Sequence, residues 1–131
     1  MLVLTSNAFA CSCAAWPEDP DQAMKEANEE HAAIFLGTVQ SVRMLPGPDE
    51  VQETVFSVHA SWKGTAGPAF TTTVSVACCI CGYEFDEGVT YFVFAYQISD
   101  GTYRVSLCSP TVPKDYSESY VEALDRIKKN E

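Results

Sequence analysis

The chain has 131 residues, of which 47% are hydrophobic, and its 18 acidic and 8 basic side chains give a formal charge of -10. A domain of this length buries roughly two thirds of the surface that its unfolded chain exposes, so one domain with a hydrophobic core is expected. The negative charge repels nucleic-acid phosphates and anionic lipid head groups, which argues against both as partners. No run after Cys11 is long and apolar enough to span a bilayer, so membrane insertion is not expected either.

Residues 1–10 are predicted to be the remnant of a signal peptide. They are mostly apolar and end in Ala8-Phe9-Ala10, the small-x-small pattern that signal peptidase accepts before its cut. Cleavage there makes Cys11 the first residue of a single domain over 11–131 and predicts a secreted, extracellular protein. The stretch is short and has no Lys or Arg, which leaves a truncated start or an uncleaved tail as alternatives.

A helix and then five strands are predicted up to Leu107. Asp19 before Pro20, followed by apolar residues at helical spacing, predicts a helix that ends near His31. Runs rich in Val, Ile, Phe and Thr predict strands over 33–44, 53–63, 70–77, 89–98 and 103–107. The fourth run is so apolar that both of its faces are expected to be covered. Gly37 predicts a bend or a bulge in the first strand, and Asp100-Gly101 predicts a tight hairpin turn.

A second helix is predicted to close the chain. Asp115, followed three residues later by Glu118, predicts a capping box at its start. Its apolar stripe consists of Tyr116, Tyr120, Leu124 and Ile127. Five strands between two helices, in a chain too short for two independently stable sheets, predict a mainly β fold, a closed five-stranded Greek-key barrel of the OB type. Periodicity alone leaves an immunoglobulin-like sandwich open.

Six cysteines stand in two clusters and one distant position, at 11, 13, 78, 79, 81 and 108. An even number with these separations predicts long-range disulfides in an oxidising compartment, whereas a reducing compartment would favour metal binding or redox work. The run from Cys78 to Cys81 contains a Cys-x-x-Cys, but the thioredoxin-like context of that motif is missing. For Cys78 and Cys79 a vicinal disulfide, a pair of buried thiols and an interchain cross-link all stay open.

No arrangement of side chains with catalytic spacing is found, so the protein is expected not to be an enzyme and to need no cofactor. His31 at a helix end and His59 on the polar face of a strand are interpreted as surface residues and not as metal ligands. Trp62 and the aromatic residues of the fourth strand are expected in the core. The acidic residues of the turns are expected to be solvated.

Five ordered motifs carry a resemblance to a known family. They are Cys11-Ser12-Cys13, Ile34-Phe35-Leu36-Gly37-Thr38-Val39, Trp62-Lys63-Gly64, Cys81-Gly82-Tyr83 and Ser106-Leu107-Cys108. In this order and spacing the chain resembles the netrin-like amino-terminal domain of tissue inhibitors of metalloproteinases, in a reduced, single-domain version of the bacterial type. The resemblance covers nearly all of residues 11–125.

The resemblance implies two disulfides, Cys11–Cys81 and Cys13–Cys108, which fasten the first residues of the processed chain to the barrel. In inhibitory members of the family, the free amine and the carbonyl of the first cysteine chelate the catalytic zinc of the protease. Cys11 takes that role here through its backbone atoms, and the metal belongs to the target protease only. The expected partner is therefore a zinc metalloendopeptidase, and the alternative is a plain binding module for another extracellular protein, because a fold does not decide a function.

The resemblance also implies a protease-binding ridge. It consists of Cys11, Ser12, Cys13, Ala14, Ala15, Cys79 and Ile80, with Trp16 continuing it and Ala77 and Cys78 beside it. Ser12 would enter the primary specificity pocket of the protease. A small polar side chain fills a deep apolar pocket only in part, so modest inhibition is expected.

Overall fold

The computed structural model describes residues 12–65, 67–76 and 81–131. Within them lie two α-helices and six antiparallel strands, which form one sheet. The helices are α1 (Pro20–Glu30) and α2 (Glu118–Lys129), and a short 3-10 helix over Lys114–Tyr116 precedes α2. The strands are β1 (Ala33–Met44), β2 (Val51–Lys63), β3 (Ala69–Ser75), β4 (Thr90–Ser99), β5 (Thr102–Arg104) and β6 (Val112–Pro113). The mainly β class, with a helix before and after the strands, is therefore as predicted.

The strands are ordered β3-β2-β1-β4-β5, and β6 pairs with β4. Phe70 on β3 and Tyr103 on β5 lie with their ring centroids 4.8 Å apart, so the sheet curls until its two edge strands meet through side chains. In the described part of the chain, no ladder joins β3 to β5 and the sheet is not closed. The closed five-stranded barrel expected from the sequence is therefore not confirmed, and the two-residue strand β6 was not predicted.

Both faces of the central strands are buried, as the apolar run over β4 predicts. Phe35, Phe56 and Val93 are fully buried in one cluster, while Ile34 and Phe92 are fully buried in a second cluster against the two helices. Successive residues of a strand point to opposite faces, which is why neighbours on β1 and β4 belong to different clusters. The two helices therefore act as the cover for one face of the sheet.

The β1–β2 ladder is irregular at Gly37, but the extra residue there, His59, lies on β2 and not on β1 as predicted. Its register shifts at Leu36/Gly37 and again at two further places along β1. A Cβ added at Gly37 would lie 3.0 Å from the Phe35 ring and 3.1 Å from the Ser57 carbonyl oxygen, so the strands approach closely at this point. In a regular strand, Phe56 and Trp62 would face the same side of the sheet, because they are an even number of residues apart. The register shifts reverse this, so Trp62 contacts the helix-covered cluster while Phe56 lies in the cluster on the opposite face.

Helix α1 begins as its sequence predicts. Asp19 is the N-cap, and its Oδ2 accepts a hydrogen bond from the backbone N–H of Gln22 at 3.1 Å. Pro20 occupies the first turn, where a missing N–H costs no hydrogen bond. The helix ends at Glu30 and buries a small apolar face, which lets it lie close to the sheet.

The predicted capping box of α2 is wrong. The helix begins at Glu118 with Ser117 as its N-cap, and the Ser117 hydroxyl donates to the Lys114 carbonyl oxygen at 2.7 Å instead of capping the helix. Because residues before Ser117 form a 3-10 helix with a different period, Tyr116 leaves the apolar stripe and is 75% exposed. Leu124 is fully buried as expected.

The Trp62-Lys63-Gly64 motif fastens the end of β2 to both helices. Trp62 Nε1 donates to Asp125 Oδ1 of α2 at 2.7 Å, and Lys63 Nζ donates to the Asn28 carbonyl oxygen of α1 at 2.5 Å. Gly64 follows with a φ of +76 and packs against the chain just before β1. No helix in residues 12–65, 67–76 and 81–131 is long and apolar enough to cross a membrane.

Candidate functional site

The segment Ser12–Ala15 precedes α1 without regular secondary structure and is exposed along its length. Cys13 is bonded to Cys108 by a disulfide with a Cα–Cα distance of 5.2 Å across 95 residues of sequence. This is one of the two disulfides that the resemblance implies. An exposed stretch of small side chains is therefore held by a covalent bond to the turn that contains Cys108.

Trp16 provides a second attachment for this segment. Its indole Nε1 donates to the Cys108 carbonyl oxygen at 2.8 Å, and its ring centroid lies 6.2 Å from that of His31. The side chain is half-buried against the helix-covered cluster. Trp16 thus anchors the segment, and the exposed part that a partner could contact is Ser12–Ala15.

Two short stretches hold the cysteines of the other motifs side by side. The Leu107 N–H donates to the Cys81 carbonyl oxygen at 2.8 Å, and Gly82 and Ser106 form an isolated antiparallel bridge. A Cβ at Gly82 would lie 2.1 Å from Val74 Cγ2, so the middle residue of Cys-Gly-Tyr has no room for a side chain. Cys81 therefore lies on a strip paired with the residues that lead into Cys108.

Cys81 is itself disulfide-bonded. Its predicted partner, Cys11, lies outside the described residues, as do Cys79 and Ile80 of the predicted ridge. The Cys11–Cys81 bond, the zinc-binding role of Cys11 and the contacts of Cys79 and Ile80 stay predictions. Ser12, Cys13, Ala14 and Ala15 are the ridge residues that the structure describes, and they are contiguous and exposed.

Acidic side chains lie beside the segment. A cleft of about 250 Å³ is formed between Ala14, Ala15 and the Glu26 and Glu30 side of α1. Glu26 accepts a hydrogen bond from Gln22 Nε2 at 3.0 Å, and Glu30 is exposed at the end of the helix. Carboxylates at this position favour a partner that brings positive charge to the rim of the segment.

The interpretation of His31 as a surface residue is wrong. Its side chain is buried, Nδ1 donates to the Ala27 carbonyl oxygen at 2.9 Å, and Phe94 packs edge-on against the ring. Burial lowers the pKa of His31 below its usual value, since the charged ring would lose its hydration. The helix-end position suggested exposure, but the chain turns into β1 here and places the ring under Trp16.

His59 is exposed, as predicted, and its Nε2 lies 2.7 Å from the Thr38 hydroxyl. Sequence reasoning missed Leu107, which is 50% exposed beside Cys108. The sequence signal for Leu107 was its position between Ser106 and Cys108 in one motif. An apolar side chain in such a motif need not enter the core. It also missed the side chain of Arg104, which lines a cavity next to Cys81.

Among the residues described, no group of three or more His, Cys, Asp or Glu side chains is placed to hold a metal ion. Comparison with protein-family models and with curated proteins gives no match to this chain. The support for a function therefore comes from the motifs of the chain and from the contacts of its amino-terminal segment.

Proposed function

We propose that the protein is a secreted inhibitor of zinc metalloendopeptidases with a netrin-like OB fold. The observation that carries the proposal is the covalent attachment of the exposed segment Ser12–Ala15 at Cys13, next to a second disulfide-bonded cysteine, Cys81. An exposed segment fixed in this way has little conformational freedom left to lose when it docks. Such a segment suits insertion into the cleft of a protease.

The order of the strands supports the fold named in the proposal. The neighbours β4-β1-β2-β3 have the spatial order 4-1-2-3, which defines a Greek key in which the fourth strand returns beside the first. The two remaining edges, β3 and β5, approach each other through Phe70 and Tyr103. A five-stranded, partly open Greek-key barrel is the description of an OB fold.

The proposed inhibitory group is the backbone of Cys11 after removal of residues 1–10. A neutral α-amine and the carbonyl of the same residue close a five-membered ring on zinc and displace the water from its open coordination position. The amine must lose its proton to bind, and an α-amine with an ordinary pKa of about 8 loses it readily to a metal at neutral pH. The chemistry needs only a free amino terminus, correctly held.

The side chain of residue 12 is proposed to enter the specificity pocket of the protease. Ser12 is exposed and lies next to the fixed Cys13, so its side chain is available to a partner. Ser12→Leu is expected to strengthen inhibition of proteases that have a deep apolar pocket, by about 1–2 kcal/mol when most of the side chain is buried. Ser12→Gly should change inhibition little, and comparing the two inhibition constants measures the pocket contact.

The amino terminus itself is tested with three forms of the exported protein: one that begins at Cys11, one with an added Ala before Cys11, and one acetylated at the Cys11 amine. Only the first is expected to inhibit a susceptible zinc endopeptidase, while all three keep the same melting temperature because the folded domain is unchanged. Amino-terminal sequencing of the native protein establishes which form exists. Equal inhibition by free and blocked forms would contradict zinc chelation.

The exposed Leu107 favours a second candidate function, a binding module for another extracellular protein. It is an exposed apolar side chain next to Cys108, the disulfide partner of Cys13, and could bind a protein without any metal contact. Binding to such a partner would tolerate a blocked amino terminus but would weaken in Leu107→Asp. The blocked forms therefore separate the two functions.

A further inference from the structure

A cavity of about 250 Å³ lies at the open side of the sheet, between β5 and the strip that contains Cys81. Arg104, Tyr96 and Ser106 are among the residues that line it. Arg104 and Tyr96 are directly opposite each other in the β4–β5 ladder, so their side chains lie on the same face of the sheet. The residues that line the cavity therefore include one with a cationic side chain and two with a hydroxyl group.

The guanidinium of Arg104 has an unsatisfied donor among the described residues. Its Nε is buried without a hydrogen-bond partner, and no ion pair to Arg104 is formed in the described part of the chain. The other two arginines both have carboxylate partners, Arg43 with Glu53 and Arg126 with Asp21. Arg104 is half-buried and, of the three arginines, is the one without a carboxylate partner among the described residues.

We infer that this cavity is a binding site for a carboxylate group. A guanidinium offers parallel N–H donors that match the two oxygens of a carboxylate. The Ser106 hydroxyl accepts a hydrogen bond from the Cys108 N–H at 3.0 Å, which leaves its own proton available to a ligand. Tyr96 also lines the cavity, and its side chain carries a hydroxyl that can donate.

The size and charge of the surroundings limit the ligand. A volume of about 250 Å³ is below that of sites for drug-sized ligands and fits a carboxylate on a short stem. The protein carries a net charge of -10 and repels a dianion such as phosphate more strongly than a monoanion, and among the described lining residues Arg104 is the one with a positive charge. The ligand is a monocarboxylate, supplied as a small acid, an Asp or Glu side chain, or a chain terminus. This inference does not depend on protease inhibition.

The site is tested on the full-length, disulfide-bonded protein labelled with ¹⁵N. Acetate, N-acetylglycine and N-acetylglutamate α-amide are titrated separately at constant ionic strength, while the Arg104 Nε–H and the backbone amides of Tyr96 and Ser106 are followed by NMR. Saturable shifts at these three positions are expected, and the best of the three probes identifies the source of the carboxylate. Acetamide, chloride and phosphate are expected to cause no saturable shift.

Two variants assign the binding to the guanidinium. Arg104→Met is expected to weaken carboxylate binding by about 10-fold to 100-fold, the usual effect of losing a hydrogen bond to a charged group. Arg43→Met, which removes an exposed arginine already paired with Glu53, is the matched control and should bind as the wild type does. Arg104→Lys keeps the positive charge but lacks the two parallel N–H donors of the guanidinium, and it should bind carboxylates with intermediate affinity.

Three results would overturn the inference: no saturable shift in the wild type, an equal response to chloride, or unchanged binding in Arg104→Met. If Arg104→Met does not fold, Tyr96→Phe and Arg104→Lys test the inference instead. Both are expected to weaken carboxylate binding while their melting temperatures stay within a few degrees of the wild type, and unchanged binding in both would overturn it.

Discussion

Gly64 shows why one residue of the Trp62-Lys63-Gly64 motif must be glycine. Its φ is +76, and an added Cβ would lie 1.9 Å from the Ala32 carbonyl oxygen, a backbone atom that cannot rotate away. A left-handed conformation alone costs a residue with a side chain roughly 1–2 kcal/mol. We expect Gly64→Ala to lower the free energy of unfolding by more than that, measured by urea denaturation.

Gly101→Ala is the matched control for this prediction. Gly101 has a similar φ of +73, but no heavy atom lies within 4 Å of an added Cβ. Gly101→Ala is therefore destabilised by the backbone conformation but not by a steric clash, and it should lose less unfolding free energy than Gly64→Ala. Equal losses in both variants would mean that the contact with Ala32 does not restrict residue 64.

His31 makes the stability of the fold depend on pH. Burial is the main cause that lowers its pKa in the folded protein, and the hydrogen bond to the Ala27 carbonyl and the charge of Glu30 oppose this effect only in part. The unfolded chain takes up the proton near pH 6.5, whereas the folded chain takes it up only at lower pH. The contribution of neutral His31 to stability is therefore complete above about pH 6.5 and is lost as the pH falls below it.

Replacing His31 by Gln should remove this dependence. The unfolding free energy of His31→Gln, measured by urea denaturation between about pH 7.5 and 5.5, is expected to change less with pH than that of the wild type. His59→Gln is the control, because it removes the other histidine, whose exposed ring lies against the Thr38 hydroxyl, and its slope is compared with that of His31→Gln. A slope unchanged in His31→Gln would show that His31 is not the group responsible.

At the scale of elements, local signals were sufficient where a segment depends on its own residues. The bounds of β1 and the Asp19 cap of α1 were predicted because periodicity and a capping side chain are both visible in the sequence. The turn at Asp100-Gly101 was predicted for the same reason, and Gly101 has the positive φ that it requires.

Elements that depend on distant partners were predicted less well. The fifth strand was expected over 103–107 but ends at Arg104, because the chain then leaves β4 and pairs with another stretch, where the Tyr83 N–H donates to the Val105 carbonyl oxygen at 3.0 Å. Strand β6 contains Pro113, which lacks a backbone N–H, so its sequence gives no strand signal. In both cases tertiary pairing, which a sequence pattern does not contain, sets the boundary.

The attachment of the amino-terminal segment by Trp16 can be measured separately. Trp16→Phe removes the hydrogen bond to the Cys108 carbonyl oxygen and is expected to cost about 1 kcal/mol of unfolding free energy. It should also speed hydrogen exchange and proteolysis at Ser12–Ala15. Trp62→Phe removes another indole hydrogen bond, to Asp125 of α2, from a side chain that packs against the same cluster. That control should lower stability without changing exchange at Ser12–Ala15, and equal exchange in both variants would refute the anchoring role of Trp16.

For the whole molecule, the sequence indicated which cysteines belong to the candidate site but not how the side chains around them pack. The resemblance led to Cys13 and Cys108, and the structure joins them. The half-buried state of Trp16 and the cavity at Arg104 could not be predicted, because each depends on how several elements pack around one side chain. Motifs thus identified residues that are linked covalently, and only the packed structure showed what surrounds them.

The complete disulfide pattern is a prediction for the exported protein. Peptide mapping without reduction is expected to recover Cys13–Cys108 and Cys11–Cys81. Replacing both Cys13 and Cys108 by Ser should cost up to about 4–5 kcal/mol, since the bond closes a loop of 95 residues. Recovery of Cys81 joined to Cys78 or Cys79 would contradict the predicted pattern and would leave Cys11 without its proposed fixation.

The Cys13–Cys108 bond also protects the covalent integrity of the chain. Because its two ends are 95 residues apart, a single cut of the backbone anywhere between them leaves two fragments that are still tethered. The exposed turn over residues 46–50, between β1 and β2, is a natural place for such a nick. A protein that works among proteases, as proposed, would then migrate as one species on a gel until a reductant released the pieces.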